Sequence, residues 1–174
     1  MSANRLDVWN ERYEQGDMED KPPEPVLVSA VESLTPGRAL DLACGLGRNS
    51  LYLAARGWDV TAVDYSDVAL GKLRERCAKL TIVRADLELE EFAIEPEAYD
   101  LIVECCFLHR PLFPMIREGV RPGGLFVGVL PLKDETSQKS YRADPGELLS
   151  YFRDWRIEHW SESRRAHLVA RKPR

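Results

Sequence analysis

Short apolar runs alternate with longer half-apolar stretches along the chain, and glycine, proline or polar residues separate them. Apolar runs of roughly 4–8 residues with such borders are typical of buried strands, whereas apolar residues spaced three and four apart indicate helices. The runs predict strands at residues 39–44, 59–63, 80–83, 99–106, 125–130, 155–160 and 167–171. The intervening pattern predicts helices at residues 6–13, 26–34, 49–56, 67–79, 111–120 and 145–152.

This alternation of strands and helices predicts an α/β fold. Apolar strands joined by helical crossovers form a mostly parallel sheet with helices on both faces, and right-handed crossovers make it doubly wound. Residues 161–165 are too few for a parallel crossover, so the last strand is predicted to be antiparallel. We therefore expect a Rossmann-like, doubly wound, mostly parallel seven-stranded sheet with an antiparallel last strand. The length suits one domain over residues 1–174.

Composition and charge exclude several classes of protein. The net charge is −5, so phosphate repels the chain and non-specific binding of nucleic acid is not expected. The apolar runs are too short for a membrane span, and residues 1–10 lack the apolar centre of a secretory signal. The four cysteines show no metal-binding spacing with histidines, so neither a metal site nor an oxidising compartment is expected. We expect a cytoplasmic protein without an obligate protein partner.

The turn after the first predicted strand carries the strongest candidate chemistry. Gly45 and Gly47 allow a tight bend and a close approach of a ligand to the backbone. A dinucleotide fingerprint would have a third glycine where this chain has Ser50. Asp41 lies inside the strand, where it would repel a pyrophosphate and attract an ammonium or a sulfonium. The turn therefore predicts a ligand that carries positive charge and lacks phosphates.

Acidic residues also follow the next two predicted strands. Asp64 ends the second strand, where a carboxylate accepts hydrogen bonds from the two hydroxyls of a ribose. Asp86 follows the third strand, where it could accept a hydrogen bond from an exocyclic amine while Leu87 packs on the ring. Each acid alone would be better explained as a helix cap or a solvated loop residue. Together with the glycine turn, the acids favour a nucleoside ligand.

The sequence DLACGLGRNS at residues 41–50, followed by LYLAARGWDVTAVD at residues 51–64, resembles class I S-adenosylmethionine-dependent methyltransferases. The similarity is greatest to the small tellurite-resistance-type branch, because WNERY at residues 9–13 and LVARKP at residues 168–173 resemble its opening and closing motifs. The resemblance implies S-adenosyl-L-methionine as the cofactor and methyl transfer as the activity. The Asn/Asp-Pro-Pro-aromatic motif is missing after the fourth strand, which argues against exocyclic amines of nucleic acids as acceptors.

The resemblance also implies roles for individual residues. The methionine end of the cofactor would lie at Asp41, Gly45 and Gly47, and the transferred methyl would lie near Cys105. An N-terminal helical lid at about residues 1–35 would close over the cofactor. The residues implied to bind the cofactor are Trp9, Tyr13, Asp41, Ala43, Gly45, Gly47, Asn49, Asp64, Tyr65, Ser66, Asp86, Leu87 and Cys105.

The acceptor is expected to be a small molecule, because residues 132–141 are too short for a large substrate-capping insertion. An anion or a soft nucleophile needs no general base, whereas a hydroxyl or a protonated amine benefits from one. His109, after the fourth strand, is the candidate base, and Arg110 could orient an anionic acceptor through its planar fork. A helix cap and a surface ion pair explain these two residues equally well.

Arg164 and Arg165 are a second candidate site for an anionic acceptor. They follow the sixth predicted strand, which should run parallel to the others and end at the edge where the ligand binds. The alternative is that these charges protect an exposed edge strand from pairing with other chains. Cys44 and Cys106 are expected to be small core residues.

Two other functions stay open at this point. A nicotinamide-dependent oxidoreductase is favoured by Asp64, but Asp41 and the missing third glycine count against it. A binding module that holds the cofactor without turnover has nothing in the sequence against it. The leading hypothesis is transfer of a methyl group to a small-molecule acceptor, which could be an anion or a soft nucleophile.

Overall fold

The computed structural model describes residues 5–16, 21–134 and 139–174. Six α-helices lie within these ranges: α1 (Arg5–Glu14), α2 (Pro25–Val31), α3 (Arg48–Ala55), α4 (Asp67–Arg76), α5 (Leu112–Gly119) and α6 (Glu147–Ser150). The same ranges hold seven strands: β1 (Arg38–Leu42), β2 (Asp59–Asp64), β3 (Thr81–Arg84), β4 (Tyr99–Cys105), β5 (Val120–Pro131), β6 (Arg156–Glu162) and β7 (Arg165–Arg171). A short 3-10 helix, Leu87–Leu89, follows β3.

The seven strands described form one sheet in the order β3-β2-β1-β4-β5-β7-β6. The five strands from β3 to β5 pair in parallel, whereas β7 is antiparallel to both β5 and β6. The predicted fold class, a mostly parallel sheet with an antiparallel last strand, is confirmed. Because β7 runs against both of its neighbours, β6 points in the same direction as the parallel strands.

Several predicted boundaries differ from the structure. Residues 121–124, which lie between a predicted helix and a predicted strand, belong to the long strand β5. The reason is pairing with the chain end, since Gly123 N–H donates to the Lys172 carbonyl and Lys172 N–H donates to the Gly124 carbonyl. The helix predicted at 145–152 is one turn, and the predicted five-residue connection between the last strands shrinks to residues 163–164.

Two apolar layers cover the faces of the sheet. On one face α5, α6 and the segment after α6 pack on the strands through an aromatic cluster, in which Phe126 stacks on Phe152 at 4.4 Å and Phe113 stacks on Tyr151 at 4.0 Å between ring centroids. The helices α2, α3 and α4 pack on the opposite face. Within the described ranges, no helix has both the length and the apolarity to cross a membrane.

The register of the central strands fixes which residues meet at the carboxyl edge of the sheet. Leu42, the last residue of β1, is level with Val63 on β2 and with Glu104 on β4. The segments that leave these three strands therefore emerge side by side. Ligands of open α/β sheets bind outside this edge, so these segments are the place to look for a functional site.

Candidate functional site

The chain leaves β1 through a turn of left-handed residues. Ala43, Gly45 and Gly47 have φ angles of 53°, 55° and 75°. Cys44 N–H donates to the Val63 carbonyl at 3.0 Å, which keeps the turn against the end of β2. The two glycines adopt this conformation without the strain that a Cβ would bring. The result is a bend whose backbone a ligand can approach closely.

Asp64 ties this turn to the end of β2. Its Oδ2 accepts a hydrogen bond from Gly45 N–H at 2.8 Å, and its Oδ1 accepts one from Ser66 N–H at 2.9 Å. Burial raises the pKa of Asp64, while the hydrogen bonds from backbone N–H groups act in the opposite direction. A carboxylate has about four acceptor positions, so both oxygens retain capacity for the hydroxyls of a ribose.

Asp41 forms a second buried contact below the turn. Its side chain is 2% exposed, and its Oδ2 accepts a hydrogen bond from Ser50 Oγ at 2.5 Å. Burial raises the pKa of Asp41 to about 6, and the bond from Ser50 offsets part of this effect. In the sequence, Ser50 marks only the position where a dinucleotide motif would have its third glycine. Its contact with Asp41 could have been predicted from the hydroxyl in the first turn of the helix that follows the strand of Asp41.

Helix α1 covers the turn. The Tyr13 side chain is buried against it, so that a Cβ on Gly45 would lie 2.8 Å from the Tyr13 hydroxyl oxygen. Lys72 Nζ on α4 donates to the Tyr13 carbonyl at 2.8 Å, and Ser66 Oγ donates to Asn10 Oδ1 at 2.6 Å. No pattern in the sequence predicts these roles of Asn10 and Lys72. These contacts hold α1 beside the start of α4.

The third acid of the predicted site already has a cationic partner. Arg5 of α1 donates to both carboxylate oxygens of Asp86, at 3.1 and 2.9 Å, and also pairs with Glu88. The same guanidinium lies over the Tyr65 ring, 5.1 Å from its centroid. Leu87 is buried beside Asp86. A ligand that meets Asp86 therefore shares this carboxylate with Arg5 or displaces Arg5 from it.

A buried ion pair network lies beside the turn. Glu24 is 4% exposed, and Arg48 and Arg165 both donate to its Oε1. The Glu24 backbone N–H donates to Asn49 Oδ1 at 3.0 Å. Asn49 and Arg165 were predicted as ligand-binding residues, and the structure places both in contact with Glu24. Two guanidinium groups on one carboxylate leave one positive charge in excess.

The second predicted arginine lies at the same edge of the sheet. Arg164 is in the turn between β6 and β7, and its carbonyl accepts a hydrogen bond from Leu132 N–H at 3.1 Å. The turn therefore packs against the chain that leaves β5. Trp9 stacks with Tyr13, with 5.8 Å between ring centroids.

His109 and Arg110 lie between β4 and α5. Arg110 forms a forked ion pair with Glu147, in which Nε and Nη2 donate at 2.7 and 2.9 Å, and Nη1 donates to the Ser140 carbonyl at 3.1 Å. Arg110 is therefore in a surface ion pair, which the sequence analysis gave as the alternative to orienting an anionic acceptor. The His109 side chain is half-buried, and its carbonyl accepts from Leu112 N–H at the start of α5.

The cysteines differ in exposure. Cys44 and Cys105 are partly buried near the turn, and burial raises the pKa of both thiols. Cys106 is exposed, so its prediction as a core residue is wrong. The reason is that β4 ends at Cys105 and Cys106 leaves the sheet with a φ of 62°. Among the described residues, no group of three or more His, Cys, Asp or Glu side chains could hold a metal ion.

Comparison with known proteins gives one family. The family model described as "Tellurite resistance protein TehB" matches residues 3–167. A "Probable S-adenosyl-L-methionine-dependent methyltransferase TehB" from Haemophilus influenzae is 33% identical over 150 residues, which cover 79% of this chain and 52% of the relative. This chain therefore spans about half the length of that relative. A "Probable thiol methyltransferase 2" from Arabidopsis thaliana is 28% identical over 162 residues, covering 84% of this chain and 72% of the relative.

The solved structures agree with the sequence comparison. TehB from Haemophilus influenzae superposes on this chain with a TM-score of 0.79 and 26% identity, covering 94% of this chain and 67% of that chain. The resemblance predicted from the sequence is therefore confirmed at the level of family and fold.

A matched pair of glycine substitutions tests how closely α1 packs on the turn. We expect Gly45→Ala to lower the free energy of unfolding and to release α1, because the added Cβ meets the Tyr13 hydroxyl at a positive φ. Gly71→Ala on α4 is the control, since a Cβ there meets nothing within 4 Å and should stabilise the helix by about 0.5–1 kcal/mol. Urea unfolding and hydrogen exchange of α1 measure both effects. Unchanged exchange in Gly45→Ala would contradict the packing.

The buried Asp41 predicts a specific dependence of stability on pH. Its pKa is about 6 in the folded protein and 3.8 without the fold, so the folded state binds more protons between these values. The contribution of Asp41 to stability is therefore full at low pH and falls by up to about 3 kcal/mol as the pH rises from about 4 to about 7. We expect Asp41→Asn, which cannot ionise, to gain this amount relative to the unchanged protein over the same interval, measured by urea unfolding. A constant difference between the two proteins would show that Asp41 is not buried as described.

Proposed function

Because the chain belongs to the TehB family of tellurite resistance proteins, we propose that it is an S-adenosylmethionine-dependent methyltransferase that acts on a small-molecule acceptor. The observation that carries this proposal is the pair of buried carboxyls, Asp41 and Asp64, around a turn that a ligand can approach. Burial raises the pKa of both, so the site favours a ligand that brings positive charge. A sulfonium meets this requirement, and a pyrophosphate does not.

In the proposed site, Asp41 and the glycine turn would hold the methionine end of the cofactor, Asp64 its ribose hydroxyls, and Tyr65 and Leu87 its adenine, with the amine at Asp86. Helix α1 would be the lid, with Trp9 and Tyr13 over the cofactor, and the chain would act as a single catalytic domain. The remaining residues proposed to line the cofactor are Ala43, Asn49, Ser66 and Cys105.

Methyl transfer then requires little covalent chemistry from the protein. When bound, the cofactor would supply an activated methyl group, which an acceptor would take by in-line attack as the bond to sulfur breaks and leaves a neutral thioether. With an anionic acceptor the two opposite charges would cancel, so a dry pocket that holds both partners at reacting distance would favour the transition state. The buried side of the turn under Tyr13 supports such a pocket.

The acceptor is proposed to be an anion or a soft nucleophile. The excess positive charge of Arg48 and Arg165 on Glu24 supports an anion, and the Arabidopsis relative is named as a thiol methyltransferase. Arg164 and Arg110 lie at the same edge, although Arg110 is already paired with Glu147. His109 is the proposed base for an acceptor that enters with a proton.

The proposal also includes the compartment of the protein and its independence of nucleic acid. The net charge of −5 supports an enzyme that acts without nucleic acid, and the four reduced cysteines support the cytoplasm. A nicotinamide-dependent oxidoreductase is disfavoured by Asp41, which would face a pyrophosphate, and by Ser50, which bonds Asp41 where the dinucleotide motif has glycine.

Removal of the ribose-binding acid tests the cofactor site. We expect S-adenosylhomocysteine, but not NAD, to raise the melting temperature, and Asp64→Ala to weaken its binding at least about tenfold because two hydroxyl hydrogen bonds are lost. Asp67→Ala, which changes an exposed acid three residues away, is the matched control and should bind normally. Calorimetry gives the affinities, and circular dichroism checks that each variant is folded. Unchanged affinity in Asp64→Ala would refute the ribose assignment.

A screen with radiolabelled methyl groups tests the acceptor. Thiols, metalloid oxyanions, phenols and amines should be compared, and we expect product with at least one anionic or soft acceptor. For an acceptor that enters protonated, His109→Ala should lower kcat by about 10²-fold or more, whereas an acceptor that is already an anion should be unaffected. His159→Ala, on the exposed strand β6, is the control. Tight cofactor binding without any product would instead favour a binding module.

A further inference from the structure

Arg5, the first residue of α1, makes both contacts that the proposed site assigns to adenine. Its Nη2 donates to Asp86 Oδ1 and Oδ2 at 3.1 and 2.9 Å, and Asp86 is the acid proposed to accept from the adenine amine. Its guanidinium lies over the Tyr65 ring, 5.1 Å from the centroid, and Tyr65 is proposed to pack beside adenine. A guanidinium is planar and carries N–H donors along its edge, so it resembles the amine-bearing edge of adenine.

Further contacts hold Arg5 at this place. Its guanidinium also pairs with Glu88, and the Tyr65 hydroxyl donates to its carbonyl at 3.2 Å. The Asp86 carboxylate has a fixed direction, because its Oδ1 accepts from Glu88 N–H at 2.9 Å and Asp86 N–H donates to Glu91 Oε2 at 2.8 Å. Arg5 therefore binds an acid that the chain itself orients.

Guanidinium and adenine cannot use this place together. Asp86 accepts from Arg5 at both oxygens and from Glu88 N–H at one of them, so about one of its roughly four acceptor positions is left. The guanidinium also covers a face of the Tyr65 ring. An adenine that packs on this face and gives its amine to Asp86 has to move the guanidinium aside.

The exposure of these side chains makes such a displacement feasible. The Arg5 side chain is 41% exposed and that of Glu88 is 38% exposed, whereas that of Asp86 is 19% exposed. Ion pairs with this much exposure contribute little to stability and are weakened further by salt. Arg5 therefore holds the subsite with an interaction that a ligand can replace.

The second half of α1 has anchors of its own. Ser66 Oγ donates to Asn10 Oδ1 at 2.6 Å, and Lys72 Nζ donates to the Tyr13 carbonyl at 2.8 Å. These contacts join α1 to the beginning and the middle of α4 and do not involve Arg5. The guanidinium can leave Asp86 while the rest of the helix stays in place.

We propose that Arg5 is an internal competitor of adenine, which occupies the subsite of Asp86 and Tyr65 until the cofactor displaces it. This inference rests on the proposed function. Every ligand that contains adenosine has to break the contacts of Arg5, so Arg5 lowers the affinity for the cofactor and for its thioether product alike. The return of the guanidinium to Asp86 favours release of the product.

Truncation of Arg5 tests the competition. We expect Arg5→Ala to bind S-adenosylhomocysteine about three- to tenfold more tightly than the unchanged protein, measured by calorimetry. Arg12→Ala is the matched control, because it removes the same charge from α1 and a guanidinium that lies over the Trp9 ring, and it should bind as the unchanged protein does. Circular dichroism checks that both variants are folded. Equal or weaker binding by a folded Arg5→Ala would overturn the inference.

A double variant separates competition at Asp86 from a general effect on α1. In Asp86→Asn, the side-chain oxygen still accepts from an adenine amine but no longer forms an ion pair with Arg5. The gain from Arg5→Ala should therefore shrink in the Asp86→Asn background, to less than about twofold. A gain of unchanged size would show that Arg5 does not act through Asp86 and would refute the proposed competition.

Salt gives a readout in the unchanged protein that does not depend on the folding of a variant. Adenosine is uncharged, whereas screening weakens the partly exposed ion pairs of Arg5. From about 20 mM to about 500 mM sodium chloride, adenosine should bind about two- to threefold more tightly to the unchanged protein and equally tightly to Arg5→Ala. An affinity that does not rise with salt in the unchanged protein would overturn the inference and leave the proposed function intact. Failure of adenosine and S-adenosylhomocysteine to bind either protein would overturn the proposed function and this inference with it.

Discussion

The carboxylate of Asp64 is the contact on which the candidate site depends. One oxygen accepts from Gly45 N–H and holds the glycine turn, and the other accepts from Ser66 N–H at the start of α4. The Ser66 hydroxyl in turn accepts from Ala69 N–H, which caps α4, and donates to Asn10 of α1. A single buried acid thus connects the turn after β1, the beginning of α4 and the helix that covers both. Its position at the end of β2 is what makes this possible, because the carboxyl ends of parallel strands meet at one edge.

Three arginines at this edge already have acidic partners. Arg48 and Arg165 bind Glu24, while Arg5 binds Asp86. Asp41 is bound by a neutral hydroxyl, and Asp64 by neutral backbone groups. Burial raises the pKa of each acid, and hydrogen bonds from neutral donors offset this effect less than a cation would.

The sequence predicts which residues meet at neighbouring strand ends, but it does not predict the ion pairs between residues far apart in the chain. Asp41, Gly45 and Asp64 were predicted to meet, since strand order in a parallel sheet brings successive strand ends together. The pairing of Arg5 with Asp86 joins residues 81 positions apart, and a pattern of charges along the chain contains no such distance. Glu104 stood inside an apolar run that correctly predicted a buried strand. That its carboxyl has no partner depends on the side chains of other elements, which the run itself does not specify.

Side chains along a strand alternate between the two faces of the sheet, so Asp41 and Glu104, near the ends of β1 and β4, lie on opposite faces. Asp41 is level with Val103 and faces α3, whereas the next level pairs Leu42 with Glu104, which faces α5 and α6. Asp41 accepts a hydrogen bond from Ser50, which offsets part of the effect of burial, and its pKa is about 6. Glu104 lacks such a bond among the described residues, so nothing offsets the effect of burial, which raises its pKa well above the ordinary value.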